Sequence, residues 1–481
     1  MTGEFWDRTA ALFLLIARYN FSATQQIRMK RVLFVFVVLS WSVWFPIICS
    51  AGDWYVRKEA TGSNNGTDWV NAWNEMNQIN WNSVAAGDTV WLAGGTYTTS
   101  LIPGKSGTSG SRIYVKKVLA TDAVPAAAAG WNSSYDSQVV INTDQGIYWG
   151  SSTTGSYVTI DGRVDSGIKS ITPGTSWNSA SVRMEQSGTQ AGVTLQYIDM
   201  AGPAGSDPYT FVDDCKVLSI YTSAPTNLTV RYSRLHGCVD QVMLLGIGDG
   251  FVFEHNKLYD NNALNWQTFH PGTIASRACS GTMIYRYNEH YNYSVEGIML
   301  GANSDDQCCT WKIYGNVWHS PYGGTGNVAR PLELQYCSST VYFYNNTMTD
   351  LGMGIRALNG ASFLPGSQIY SNIFYHSGGP GDGTSGITDY NAYSGSTSET
   401  HGISNMPSSA FISYSGNDFR IVSTIASNYP RNKGYTLAPE YNADPNGVTR
   451  GADGAWDIGA YEYDSGTRNS APAPPTGLRI E

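Results

Sequence analysis

Asp240, His270 and Glu296 hold matching places in successive stretches of this chain, and their types suit acid/base chemistry. The stretches are Val239-Asp240-Gln241-Val242, His270-Pro271-Gly272-Thr273-Ile274 and Val295-Glu296-Gly297-Ile298. Aligned on their apolar residues, Val242, Ile274, Ile298, Leu332 and Ile355 form one inward column. Asp240 and Glu296 then share a second column, two layers apart, with His270 on the layer between. Layers of strand stack about 4.8 Å apart, so the two carboxyls would lie roughly 10 Å from each other. Two carboxyls near that separation leave room for a water, and one can protonate a sugar linkage while the other activates that water. Glu333 and Arg356 share a further column and read first as a cross-strand ion pair. Glu333, Arg277 and Arg330 are also candidates for holding a substrate. Trp266, Tyr293, Trp311 and Trp318 belong to the same middle region. Aromatic faces stack on pyranose rings, and they fill protein cores equally well.

A sequence repeat is what would position these residues. Asn256, Asn288, Asn316, Asn346 and Asn372 recur in one local frame, in steps of 32, 28, 30 and 26 residues. Looser copies stand at 231–235 and 196–200. A period of this length marks a solenoid. Each unit reads as strand, tight turn, strand, and Asn tolerates the left-handed backbone that such a turn needs. Stacked once per coil, the amides would bond to one another along the axis. The composition agrees, with 52 Gly, 31 Tyr and 14% charged residues. Strand formers dominate, and no convincing amphipathic helix follows residue 85. The best helical candidate is Asp68–Ile79, within an N-terminal cap over 52–100 that would cover the end of the solenoid. The body is 101–463, loosening after about 395. Trp456–Tyr463 should pack back as a terminal strand, and 464–481 is a Pro-rich tail.

Three further segments carry a family resemblance. They are Asp53-Trp54-Tyr55-Val56 with Gly62–Thr67, then Ala86–Tyr97, then Trp456-Asp457-Ile458-Gly459-Ala460-Tyr461-Glu462. In these the chain resembles the right-handed parallel β-helix superfamily typified by pectin and pectate lyases, in its secreted bacterial branch, over roughly residues 53–463. The resemblance implies an all-β, right-handed parallel β-helix with an N-terminal cap. It also implies a polysaccharide ligand, acted on by a lyase or a glycoside hydrolase. Lyases of this fold use a Lys or Arg base helped by calcium; Lys257, Arg277 and Arg330 are candidates for the base, and Asp305 and Asp306 for the cation. The competing class is a non-catalytic surface or matrix protein that binds glycan or spaces other modules.

Residues 29–51 have the form of a secretion signal: Met29-Lys30-Arg31, an apolar run to Ile48, then small residues before Gly52. The expected location is therefore extracellular or periplasmic, with no stable membrane insertion after cleavage. Seven cysteines become six once Cys49 leaves. The pairs Cys215/Cys238, Cys279/Cys308 and Cys309/Cys337 are each about one coil apart, so these three disulfides are expected, with the choice between Cys308 and Cys309 open. The full chain has a net charge of −9. Without residues 1–51 it has 24 basic and 36 acidic residues, net −12. No basic patch offsets that charge, which argues against nucleic acid as a partner. A monomer is expected.

Overall fold

Alternating inward-apolar and outward-polar residues become short strands wound around one core. The computed structural model describes residues 51–150, 155–174, 178–185, 190–203, 215–221, 224–238, 242–261, 272–304, 306–321 and 327–464. Their strands form three sheets of 12, 11 and 8 strands and one small antiparallel hairpin, Phe411–Ser413 with Asp418–Ile421. In the large sheets each strand pairs in parallel with its counterpart one coil away. The first sheet includes Phe251–Glu254, Thr282–Arg286 and Thr310–Tyr314. The second includes Lys257–Asn261, Glu289–Tyr293 and Val317–His319. The third includes Ile274–Ser276, Glu296–Leu300, Arg330–Gln335 and Arg356–Leu358. This is an all-β parallel solenoid. The inward column Val242, Ile274, Ile298, Leu332 and Ile355 is fully buried, as its spacing requires.

The asparagine ladder runs along the turn between the first and second sheets. Asn256 donates its backbone N–H and its Nδ2 to Oδ1 of Asn288, at 2.9 and 3.1 Å. Asn288 does the same to Asn316, Asn316 to Asn346, and Asn346 to Asn372. A sixth rung, Asn391, accepts from Asn372, and Glu399 ends the series by accepting from Asn391. Upstream, Ser233 stands in for Asn, its Oγ accepting from the Ile198 N–H at 3.1 Å. The left-handed residue is not the asparagine, contrary to expectation. It is the residue before it: His255, Tyr287, Gly315, Asn345, Ser371 and Tyr390 have φ between 49° and 66°. The asparagine itself must aim its amide inward and its N–H along the axis, so the reversal of the chain falls one residue earlier. At Gly315 a Cβ would sit 2.6 Å from the Tyr287 ring, which explains the missing side chain there.

Three other expectations are corrected. Asp68–Ile79 is not a helix; only Met76–Gln78 makes a 3₁₀ turn. Trp73 instead exchanges backbone bonds with the first strand, its N–H donating to Tyr55 O and its carbonyl accepting from Arg57, and so covers the end of the first sheet. Trp69 and Trp73 are buried in doing so. Trp456–Tyr463 packs back on the coils but is not a strand. Gly459, at φ 102°, breaks the extension, and its N–H donates to Ser371 O. The disulfides are Cys215–Cys238, Cys279–Cys309 and Cys308–Cys337, so the second and third pairs exchange partners relative to the first expectation. Neighbouring Cys308 and Cys309 face successive coils in opposite directions, one toward Cys337 and the other toward Cys279. The segment expected to be a signal, apart from residue 51, and the tail after Asp464 lie outside the described residues.

Candidate functional site

Ion pairing on the third sheet follows directly from its register. Pairing of Glu296–Leu300 with Arg330–Gln335 sets Glu296 beside Arg330, and pairing with Arg356–Leu358 sets Glu333 beside Arg356. Arg330 Nη2 lies 3.3 Å from Glu296 Oε1, and Nη1 lies 2.9 Å from Glu333 Oε2. Arg356 Nε donates to the same Glu333 oxygen at 2.7 Å. The result is a chain of alternating charge: Glu296, Arg330, Glu333, Arg356. Its inner end is nearly sealed. The side chains of Glu296, Arg330 and Glu333 are 4%, 5% and 1% exposed, and Arg356 is 27% exposed.

Burial pushes the Glu296 carboxyl up to about 7; Arg330 opposes the rise and Glu333 adds to it. Burial also lowers the Arg330 guanidinium, against the pull of its two glutamates. Glu296 Oε2 and Arg330 Nε have no hydrogen-bond partner among the described residues. A carboxyl that titrates near neutrality is suited to give or take a proton, and a guanidinium beside it can hold an anion.

The other candidates divide. Asp240, His270, Trp266 and Asp305 lie outside the described residues. Tyr293, Trp311 and Trp318 are fully buried inside the coil, which corrects their reading as sugar platforms. The reason is parity: Trp318 follows the inward Asn316 by two residues, and Trp311 precedes the inward Ile313 by two, so each shares its partner's face. Trp318 stacks on His290 at 5.1 Å, and Tyr293 Oη reaches Arg330 O at 3.5 Å. Arg277 is half-buried just after Ile274–Ser276 and makes no ion pair among the described residues. Lys257 is paired with Glu289 at 3.1 Å. Asp306 Oδ2 accepts the N–H groups of Ala302 and Asn303 at 2.5 and 2.8 Å, which commits it to its own turn. Among the described residues no three His, Cys, Asp or Glu side chains gather as a metal set.

A second charged group on the same sheet was missed. Arg183 Nε donates to Glu185 Oε1 at 2.5 Å, and Tyr148 Oη donates to Glu185 Oε2 at 2.7 Å. In register, Tyr148, Arg183, Ser219 and Met243 form one column that continues through Ala275 and Met299 to Glu333 and Arg356. Met243, Ala275 and Met299 pack as a buried apolar patch between the two charged groups. Arg183 has no counterpart in the asparagine frames, so only the pairing of strands reveals that it shares a column with Glu333.

No family model matches the chain, and no curated protein does. Among solved structures, the crystal structure of pectate lyase Pel9A aligns with a TM-score of 0.50 and 15% identity, over 86% of this chain and 98% of that one. The likeness is one of fold. It gives the solenoid a precedent without carrying over any residue's role.

Proposed function

We propose that this chain is a secreted or surface protein that acts on a polysaccharide along the third sheet, with Glu296 as proton donor or acceptor. Asp240 and His270 join the proposal on sequence grounds, as groups in equivalent places on neighbouring repeats. The observation that carries it is the Glu296–Arg330 pair: a carboxyl poised near neutral pH beside a fixed cation, on a fold shared with a pectate lyase. Arg356, the exposed end of the cluster, would face a sugar carboxylate or a developing negative charge, with Arg330 holding the two glutamates behind it. The disulfides support an oxidising, extracytoplasmic location.

The test is incubation with polygalacturonate, alginate, chondroitin and xylan, following both reducing ends and the absorbance of unsaturated products. Glu296→Gln should lower kcat by 100-fold or more, on the order of a lost general acid or base, with the fold retained. Unchanged turnover in that variant would remove Glu296 from the mechanism. The second reading, a non-catalytic glycan-binding solenoid, is favoured by the near-complete burial of Glu296 and Glu333. Binding without turnover across the panel would select it.

A further inference from the structure

The outer face of the second sheet carries a pattern that the third-sheet cluster does not use. The left-handed residues just ahead of the ladder stack outside the coil. Tyr197 lies on Tyr232 at 5.2 Å, and Tyr232 on His255 at 4.9 Å, with rings within 13° of parallel. A second stack begins four residues further along each coil: His236 on Tyr259 at 4.7 Å, and Tyr259 on Tyr291 at 4.9 Å. Between the stacks run Arg234, Lys257 and Glu289, in register on successive coils. Arg234 is paired with Asp165, and Lys257 with Glu289, so this strip carries no net charge. A depression of about 240 Å³ opens among Tyr197, Tyr232, Arg234, His255 and Lys257, with Asp165 at its rim.

The same face is covered from Val317 onward. Val317, Ile373 and Tyr375 pack against Phe411, Phe419 and Ile458 of the C-terminal segment, and the His319 ring meets Phe419 at 5.3 Å. Among the described residues, the open stretch therefore ends where the C-terminal segment begins.

The chemistry of the open stretch selects its ligand. Stacked rings cover each other's faces and present half-exposed edges, with phenol and imidazole polar atoms, once per coil. Ion pairs between them offer donors and acceptors without net charge. An extended polypeptide repeats at about 3.3 Å per residue and drifts out of step with a ladder of this spacing. A chain of pyranose units, each advancing about as far as one coil rises along the axis, stays closer in step. We infer that this face is a second polysaccharide-binding surface, taking an uncharged, hydroxyl-rich glycan laid along the solenoid axis. It rests on the reading that the partner is a polysaccharide, but on a different sheet from Glu296.

The test is electrophoresis of the full chain through gels containing hydroxyethylcellulose, xylan or polygalacturonate. At least one of the two neutral polymers should retard the wild type. The double variant Tyr232→Ala/Tyr259→Ala should weaken that retardation roughly tenfold, equivalent to about 1.4 kcal/mol of binding. The variant Arg234→Ala/Lys257→Ala leaves both ring stacks in place and should weaken it as well. Retardation by polygalacturonate alone, equal retardation of wild type and variants, or none in any gel overturns the inference. Turnover by Tyr232→Ala/Tyr259→Ala separates the two sites: Glu296-dependent cleavage of short oligosaccharides should persist in it, and its absence from the wild type sinks the catalytic reading alone.

Discussion

A single asparagine in the ladder serves both neighbours. Asn316 Oδ1 receives the N–H and Nδ2 of Asn288 at 2.8 and 3.1 Å, while its own N–H and Nδ2 donate to Asn346. Removing the amide leaves the buried Asn288 N–H without an acceptor. Asn316→Ala should therefore cost about 2–4 kcal/mol, read from the midpoint of denaturant unfolding. Glu399→Gln keeps one acceptor at the end of the series and should cost only about 1 kcal/mol. Equal costs for the two would mean that the rungs act independently of the ladder. The asparagines were legible because their spacing is regular. Two features were not: the left-handed turn one residue earlier falls on Tyr, His, Ser, Asn or Gly alike, and the last rung, Asn391, follows Asn372 after only 19 residues.

Strands and their cross-links set the next scale. Cys279–Cys309 and Cys308–Cys337 clip three consecutive coils, closing loops of 30 and 29 residues. Each loop of that length should contribute about 3–4 kcal/mol by restricting the unfolded chain. Loss of Cys308–Cys337 by a double Cys→Ala change should lower the melting temperature by several degrees and leave the far-UV spectrum intact. An unchanged melting temperature would show that the stacked sheets alone hold these coils together. Spacing identified the cysteines that are one coil apart. It could not choose between vicinal Cys308 and Cys309, because the two differ by a single residue and only the direction of each side chain decides. The failed helix at Asp68–Ile79 has a similar origin: an amphipathic-looking stretch found better backbone partners at the end of a sheet.

At the scale of the whole molecule, the C-terminal segment ties the coils together through buried acids. Asn345 Nδ2 donates to Asp457 O, and Ala460 N–H donates to Thr347 Oγ1. Around it, Asp444, Asp457 and Glu462 are buried, Glu462 pairing with Arg450 at 3.4 Å and the two aspartates accepting backbone N–H groups. Burial pushes Asp457 up to about 6 and Glu462 up to about 7. Carboxyls raised in the folded state bind more protons folded than unfolded. Their contribution is therefore most favourable below the ordinary carboxylate range and is lost as pH rises through 6 and 7. Asp457→Asn removes one of these titrations. The gap in melting temperature between wild type and Asp457→Asn should shift in the variant's favour between pH 5 and pH 8. A gap that stays constant with pH would show that Asp457 does not titrate there. Nothing in the motif Trp456–Glu462 announces this, since its acids become a cluster only when the segment folds over Asn345 and Thr347.

The sequence alone determined the solenoid, the inward columns and the ladder, because all three are periodic and a period survives without coordinates. It also placed Glu333 beside Arg356, since both sit at fixed offsets from inward residues. The tertiary structure decided which groups meet and which are exposed. Arg330 closes on both glutamates, and Trp311 and Trp318 turn inward. Arg183 joins the column of Glu333, and among the described residues one stretch of the second sheet is left open. Contact and burial depend on how loops of unequal length return each strand to the stack, and that length carries no periodic signal.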